Sequence, residues 1–331
     1  MAEFILGSPL HGIARRHERV RKLLWRLDFA LLWLIEKLLL ALPVDTASRM
    51  GELIGRFIGP IMRKKSAIFR RNFAIAFPEL DDDALDTLVR NAWGRAGRVL
   101  GEYPHLHTFF ADPGRVQIEI NAPAAVFADP GNACVMVSAH LGNWEIIGSA
   151  LAKLGIPNTS LYSPPSNPLL DKMLQDSRTA LNCHLIPRDN SARTLMRALH
   201  RGRSVGAIMD RRIDEGHPVR FFGQDKLSTL MPAKLALKFN AELLPVEVQR
   251  LHGAHYKVIF HPPVQPAPSL TDETEQAIDM TQQIHDHFEA WIRENPKDWF
   301  CSKRMWAKVK TGKIEPLKEN GHEADINSYA A

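Results

Sequence analysis

Hydrophobic and polar positions along this chain follow three patterns. Between 23 and 42 (LLWRLDFALLWLIEKLLLAL), Leu24, Leu27, Leu31, Leu34, Leu38 and Leu42 fill half of a helical wheel, and Arg26, Asp28, Glu36 and Lys37 share the other half. Residues 46–75 look helical and end at the Phe77–Pro78 turn, and Asp81–Asp83 suit the cap of a helix that runs to Tyr103. Residues 115–121 alternate as a strand does, whereas Ala133–Ser138 (ACVMVS) is a short continuous apolar run, the mark of a strand buried on both faces. Beyond it the spacing predicts helix at 146–154, strand at 158–162, and helices at 167–181 and 192–201. A strand follows at 205–209, then a helix at 231–240 and strands at 243–250 and 256–260. A long amphipathic helix over 272–294 closes the pattern.

Strands alternating with helices predict an α/β fold, a mostly parallel central sheet flanked by helices, with an N-terminal helical membrane-docking region. The expected divisions are 1–45 (a basic amphipathic membrane-associating helix), 46–112 (helical), 113–306 (the α/β part) and 307–331 (a polar, mobile tail). Apolar residues at 45% and charged residues at 24% of the 331 exclude a disordered or polytopic membrane chain. The net charge of +5 is small but unevenly spread. Arg15, Arg16, Arg19, Arg21, Lys22 and Arg26 crowd the start, and 60–75 holds Arg63, Lys64, Lys65, Arg70 and Arg71 with no acid. Such blocks suit anionic partners or a solvated helix face. The segment at 23–42 is cut by charges, so its longest uncharged run, Phe29–Ile35, falls far short of the ~20 residues a span needs. It reads as a helix lying in a bilayer interface, the alternative being a helix packed on the protein's own core. Cys134, Cys183 and Cys301 form neither a disulfide framework nor a zinc spacing, and no metal is expected. No zinc finger, RNA-binding aromatic motif or basic zipper argues for nucleic acid.

Chemistry concentrates in Cys134–Glu145, CVMVSAHLGNWE. His140 stands just past an apolar strand, where open α/β sheets bind ligands, and an imidazole there can act as a general base. A base needs a carboxylate on its other nitrogen, and Glu145, five residues on, is the nearest. Free N–H groups of the following helix are candidates for steadying an oxyanion. A surface turn with an incidental histidine has the same spacing.

HLGNWE resembles the H-x4-D/E signature of the glycerolipid acyltransferases, and most closely that of the lipid A late acyltransferases. Other stretches fit that family in order: Arg70–Arg71–Asn72, Phe77–Pro78–Glu79, Ser163–Asp171, Arg178, Met209–Asp210, Phe221–Phe222–Gly223, and Trp299, Lys303, Arg304 and Trp306. The resemblance covers roughly 15–306. It departs at the second strand end, where the family commonly has Asp-Gln and this chain has Asp210–Arg211–Arg212. It implies acyl transfer without a cofactor, from a thioester on acyl carrier protein to a hydroxyl on a 3-hydroxyacyl chain of a lipid A precursor. The catalytic pair is then His140 and Glu145, with Asn143, Arg178, Asp210, Phe222 and Gly223 at the substrate. Arg178 is the expected phosphate contact or structural anchor, Asp210 orients a base or a substrate hydroxyl, and Phe221–Gly223 shape an acyl groove. The resemblance further implies the cytoplasmic face of the inner membrane, with the bases meeting anionic lipid, acceptor phosphates or the acidic carrier protein. A lysophospholipid or other glycolipid acceptor, or water in a thioesterase, would use the same base.

Overall fold

A computed structural model describes residues 11–128, 132–179, 181, 183–189 and 191–307; the expected mobile tail lies almost wholly outside the described residues. Helices α1 (His11–Arg16), α2 (Glu18–Leu40), α3 (Val44–Ile61), α4 (Arg63–Ala76), α5 (Asp82–Glu102) and α6 (Leu106–Ala111) precede the sheet. The alternating part then runs β1 (Val116–Ile120), α7 (Ala124–Ala128), β2 (Val135–Ser138), α8 (Ile146–Lys153), β3 (Asn158–Tyr162), α9 (Pro168–Thr179), β4 (Cys183–Pro187), α10 (Ala192–His200) and β5 (Ser204–Ile208). A hairpin of β6 (His217–Phe221) and β7 (Gln224–Ser228) leads to α11 (Met231–Phe239), β8 (Leu243–Arg250), β9 (Tyr256–Phe260) and α12 (Glu273–Glu294).

Seven strands form one sheet in the order β1-β9-β8-β2-β5-β3-β4. All its neighbours are parallel except β8 and β9. β2 sits in the middle, and its side chains feed two cores. Val135 and Val137 join the cluster under α4, α5, α11 and α12, while Cys134 and Met136 join that under α6 and α8. Burial on both faces is what a continuous apolar strand is for.

The helical stretch expected at 46–75 is two helices, because the chain bends at Met62 (φ −79°, ψ 56°), two residues after Pro60. The inward face of α3 is stripped to Ala47, Gly51, Gly55 and Gly59, so α3 and α5 touch backbone to backbone. A Cβ built on Gly51 would stand 2.1 Å from the Gly97 carbonyl oxygen. The outward face of α3 is apolar: Leu53, Ile54, Ile58 and Ile61 are exposed, and Phe57 is 75% exposed. In α2 the polar half of the wheel turns partly inward, with Asp28 buried beside Leu24, while Leu23, Leu27, Leu34 and Leu38 are exposed. Among the described residues, no helix is long and apolar enough to cross a membrane.

Candidate active site

Strand register builds the site. β2 and β5 are parallel with Ser138 opposite Ile208, and the Met209 N–H donates to the Ser138 carbonyl. Two residues further along each strand, His140 and Asp210 therefore emerge side by side at the carboxyl edge. His140 Nδ1–H donates to Asp210 Oδ1 at 2.5 Å. Its Nε2 has no hydrogen-bond partner among the described residues and is not sealed from solvent, although the residue is only 8% exposed. A neutral imidazole held by a carboxylate on Nδ1 presents a free acceptor lone pair at Nε2, the arrangement a general base needs.

Asp210 is fully buried and uses both oxygens. Trp299 Nε1–H donates to Oδ2 at 3.0 Å. The Lys226 ammonium, 1% exposed, donates to the Asp210 main-chain carbonyl at 2.7 Å and to His285 Nε2 at 2.8 Å. Burial alone would raise the Asp210 pKa. The charge and hydrogen bond of His140, the Lys226 cation and the Trp299 N–H outweigh it and hold the carboxyl well below its usual range.

Segment 298–300 runs antiparallel beside 140–142 and delivers Trp299. The Gly142 N–H donates to the Asp298 carbonyl at 3.0 Å and the Phe300 N–H to the His140 carbonyl at 2.8 Å. Gly142 has φ +59°, and a Cβ there would meet the Val248 carbonyl oxygen at 2.7 Å, so only glycine fits without displacement. Trp144 meets the His140 ring edge to face (centroids 4.9 Å apart) and stacks on Phe300 (5.8 Å), walling one side of the imidazole.

Glu145 does not take the place expected on His140. Its carboxylate pairs with Arg178 and accepts from Trp144 Nε1 at 3.1 Å, and the partner of Nδ1 is Asp210 instead. Arg178 also leans over the Tyr103 ring, so Glu145 compensates its charge. Asn143 is fully buried: its Nδ2 donates to Glu102 Oε2 at 2.9 Å and its Oδ1 accepts from the Glu145 N–H at 3.3 Å. It ties the loop to the protein interior, where Glu102 also accepts from Ser48, Arg250 and Tyr256. The N–H groups of Ile146, Ile147 and Gly148 are bonded to the carbonyls of Asn143, Trp144 and Glu145, and so are not free for an oxyanion as expected.

Phe222 and Gly223 form the two-residue turn of the β6–β7 hairpin, both with positive φ (51° and 68°). The Phe222 ring is buried and stacked on Trp299 at 5.8 Å. It thus backs the residue that holds Asp210. Part of the basic block at 60–75 is neutralised internally, since Arg70 pairs with Asp82 and Asp86. Cys134 opens the apolar run at the amino end of β2, and burial pushes its thiol up to about 11. A cavity of about 560 Å³ lies at that same end, lined by Cys134, Asn240 and Glu242 among others, on the edge of the sheet away from His140. Among the described residues no cluster of His, Cys, Asp and Glu could hold a metal ion. Sequence reasoning did not single out Lys226 or Glu102; a lysine or glutamate at a position that must be buried is the signal it lacked.

A sequence model of the bacterial lipid A biosynthesis acyltransferases matches residues 14–308. A phosphatidylinositol mannoside acyltransferase from Mycolicibacterium smegmatis is 25% identical over 247 residues, 72% of this chain and 78% of that protein. A lipid A biosynthesis acyltransferase from Haemophilus influenzae is 24% identical over 268 residues, 77% and 84% respectively. A phosphatidylinositol mannoside acyltransferase from Mycobacterium tuberculosis is 28% identical over 177 residues, 52% and 54%.

Proposed function

The chain belongs to the bacterial lipid A biosynthesis acyltransferases, and on that footing we propose that it moves a fatty acyl chain from an acyl-carrier-protein thioester to the hydroxyl of a 3-hydroxyacyl chain on a lipid A precursor. The observation that carries the reading is His140, with Asp210 on Nδ1 and an open Nε2. Nε2 removes the proton from the acceptor hydroxyl as its oxygen attacks the thioester carbonyl. The C–O bond forms, the C–S bond breaks, and the imidazolium returns its proton to the departing thiolate. Asp210 stays ionised throughout and stabilises the imidazolium. No acyl-enzyme is required, in keeping with a Cys134 thiol that burial keeps protonated.

A phosphorylated acceptor is supported by bases gathered on the same edge of the sheet. Lys303 has its pKa lowered chiefly by Lys65, with burial, Arg211 and Arg188 adding to the effect. Arg211 is lowered by burial and by Arg188, against the pull of Asp210. Arg188 is paired with Asp189, and cations that disfavour one another's charge in this way favour an anion with several oxygens. The exposed apolar faces of α2 and α3, beside Arg63 and Lys64, support residence on an anionic inner-membrane surface. A glycolipid other than lipid A is the second reading, favoured by the phosphatidylinositol mannoside acyltransferases among the relatives.

The test combines purified protein with tetraacylated lipid A precursor, a phosphatidylinositol mannoside, and a series of acyl-carrier-protein thioesters, with products weighed by mass spectrometry. One added chain on the first acceptor, reduced ~10²-fold or more in His140→Ala, supports the proposal. Addition only to the second acceptor selects the second reading. Free fatty acid with neither acceptor modified identifies a thioesterase.

A further inference from the structure

Beneath the His140–Asp210 pair lies a second buried pair that acyl transfer as described does not use. Lys226 projects from β7 into the interior. Its ammonium is bonded to the Asp210 carbonyl and to His285 Nε2, and it lies 4.9 Å from the Phe221 ring centroid. His285 on α12 is fully buried; its Nδ1–H donates to the Thr281 carbonyl at 2.8 Å, which leaves Nε2 to accept from Lys226 and from Ser228 Oγ. Four ionisable residues are thus linked from the surface inward, His140, Asp210, Lys226 and His285, with Lys226 joined to Asp210 through its main-chain carbonyl. A buried ammonium is costly to the fold unless it is compensated, and an alkyl side chain would fill the hairpin interior at no such cost.

We propose that Lys226 is a positioning residue for the catalytic pair. Its cation holds the Asp210 strand end in place and sets the pH range over which His140 can take a proton. The inference rests on His140 being the base. The titratable groups around Lys226 are few. Asp210 faces it from the end of β5, with His140 beyond, and His285 faces it from α12. Two further ionisable groups among the described residues act on or feel Asp210: Cys301, whose thiol burial pushes well up, and Arg211, which burial lowers against the pull of Asp210. Glu289 and Arg293 on α12 are occupied at the hairpin turn, where Glu289 accepts the Phe222 N–H at 2.6 Å and pairs with Arg293. Burial works against the Lys226 charge and Asp210 supports it. A positive charge held at this place opposes a second one forming on the imidazole beyond Asp210.

The experiment follows His140 without any acyl acceptor. The rate at which diethyl pyrocarbonate modifies His140 is measured by peptide mass spectrometry across pH in wild type, Lys226→Met and Lys226→Gln, with circular dichroism confirming the fold. Loss of the cation moves the onset of His140 reactivity to higher pH by about one unit. The acidic limb of kcat/KM in the acyl-transfer assay moves with it, and its plateau falls between ~10- and ~10²-fold. His285→Gln keeps an acceptor for Lys226 and leaves the onset near that of wild type. An onset unchanged in whichever Lys226 variant folds overturns the proposal, even if the plateau drops, because a purely structural lysine would lower activity without moving the titration. Failure of the functional reading looks different: the His140 profile still shifts, but no acceptor is acylated.

Discussion

Replacing Asp210 by asparagine separates the two carboxylates that stand near His140. In the native site the carboxylate accepts from both His140 Nδ1–H (2.5 Å) and Trp299 Nε1–H (3.0 Å). An amide has one acceptor oxygen. If that oxygen serves Trp299, the NH₂ faces Nδ1, the imidazole proton moves to Nε2, and the base is lost. If it serves His140, the NH₂ opposes the indole N–H inside a fully buried site, which costs about 1–3 kcal/mol. Even in that arrangement the imidazolium of the transition state has a neutral acceptor in place of an anion, which costs about 1.5–3 kcal/mol. Together these costs come to roughly 2.5–6 kcal/mol, or a fall in kcat of ~10²- to ~10⁴-fold. The assay is single-turnover acyl transfer under saturating substrates, with the thermal midpoint followed in parallel so that unfolding is not read as lost chemistry. Glu145→Gln, whose carboxylate serves Arg178, is the comparison and is expected to cost less. If Asp210→Asn retained activity within tenfold of wild type while Glu145→Gln abolished it, the pairing of Asp210 with the base would be refuted as the basis of catalysis.

Arg178→Met strands the Glu145 carboxylate and lowers stability by about 1–3 kcal/mol, and the double variant with Glu145→Gln recovers part of the loss, as a double-mutant cycle in denaturant would read. Trp299→Phe keeps the stack on Phe222 but removes the donor to Asp210; kcat falls about tenfold with KM unchanged in steady-state assays. The Cys134 thiol, raised by burial to about 11, ionises first in the unfolded chain. Its share of stability is therefore complete below ~9 and lost as pH rises through 11, and Cys134→Ala flattens that part of the alkaline slope in pH-dependent melting. Leu53→Ser with Phe57→Ser weakens flotation on anionic vesicles while the melting temperature holds, because both side chains are already exposed; unchanged flotation would argue against the α3 face as a membrane contact.

Much of the architecture was legible because the signals were local. The apolar run of β2, the turn after it and the capped α12 depend on neighbouring residues, and Asp272 accepts from the N–H groups of Thr274 and Glu275 as a cap should. β4 (CHLIP) was missed because five residues following a helix carry too little alternation. The β6–β7 hairpin was missed because HPVRF and QDKLS hold a proline and charges, and the turn uses Phe222 where asparagine or glycine is the usual signal for positive φ. That phenylalanine is held in the left-handed region by its packing on Trp299 and Phe77. The exposed face of α3 had a readable period (Met50, Leu53, Ile54, Phe57, Ile58, Ile61). What hid its direction was the glycine face opposite, because a helix that packs through glycines puts its small residues inward and its large ones outward.

The exchange of Glu145 for Asp210 as the partner of His140 has the same kind of cause. Glu145 is close in sequence, and in a helix or turn five residues amount to little distance. In a parallel sheet, however, a strand end has its nearest neighbours on the adjacent strands, however far away they are in the chain. Once β2 lies beside β5 with Ser138 opposite Ile208, residues two steps beyond each must meet. The loop that carries Glu145 is then free to be fastened elsewhere, through Asn143 to Glu102 and through Glu145 to Arg178. The segment 298–300, pinned along 140–142, puts an indole N–H on the second oxygen of Asp210, and the hairpin puts an ammonium on its carbonyl. An imidazole fixed from four separate elements of the fold is tightly constrained. Changes that loosen any of them, including ones at Phe222 or Gly142 that touch no substrate, should therefore appear first in kcat.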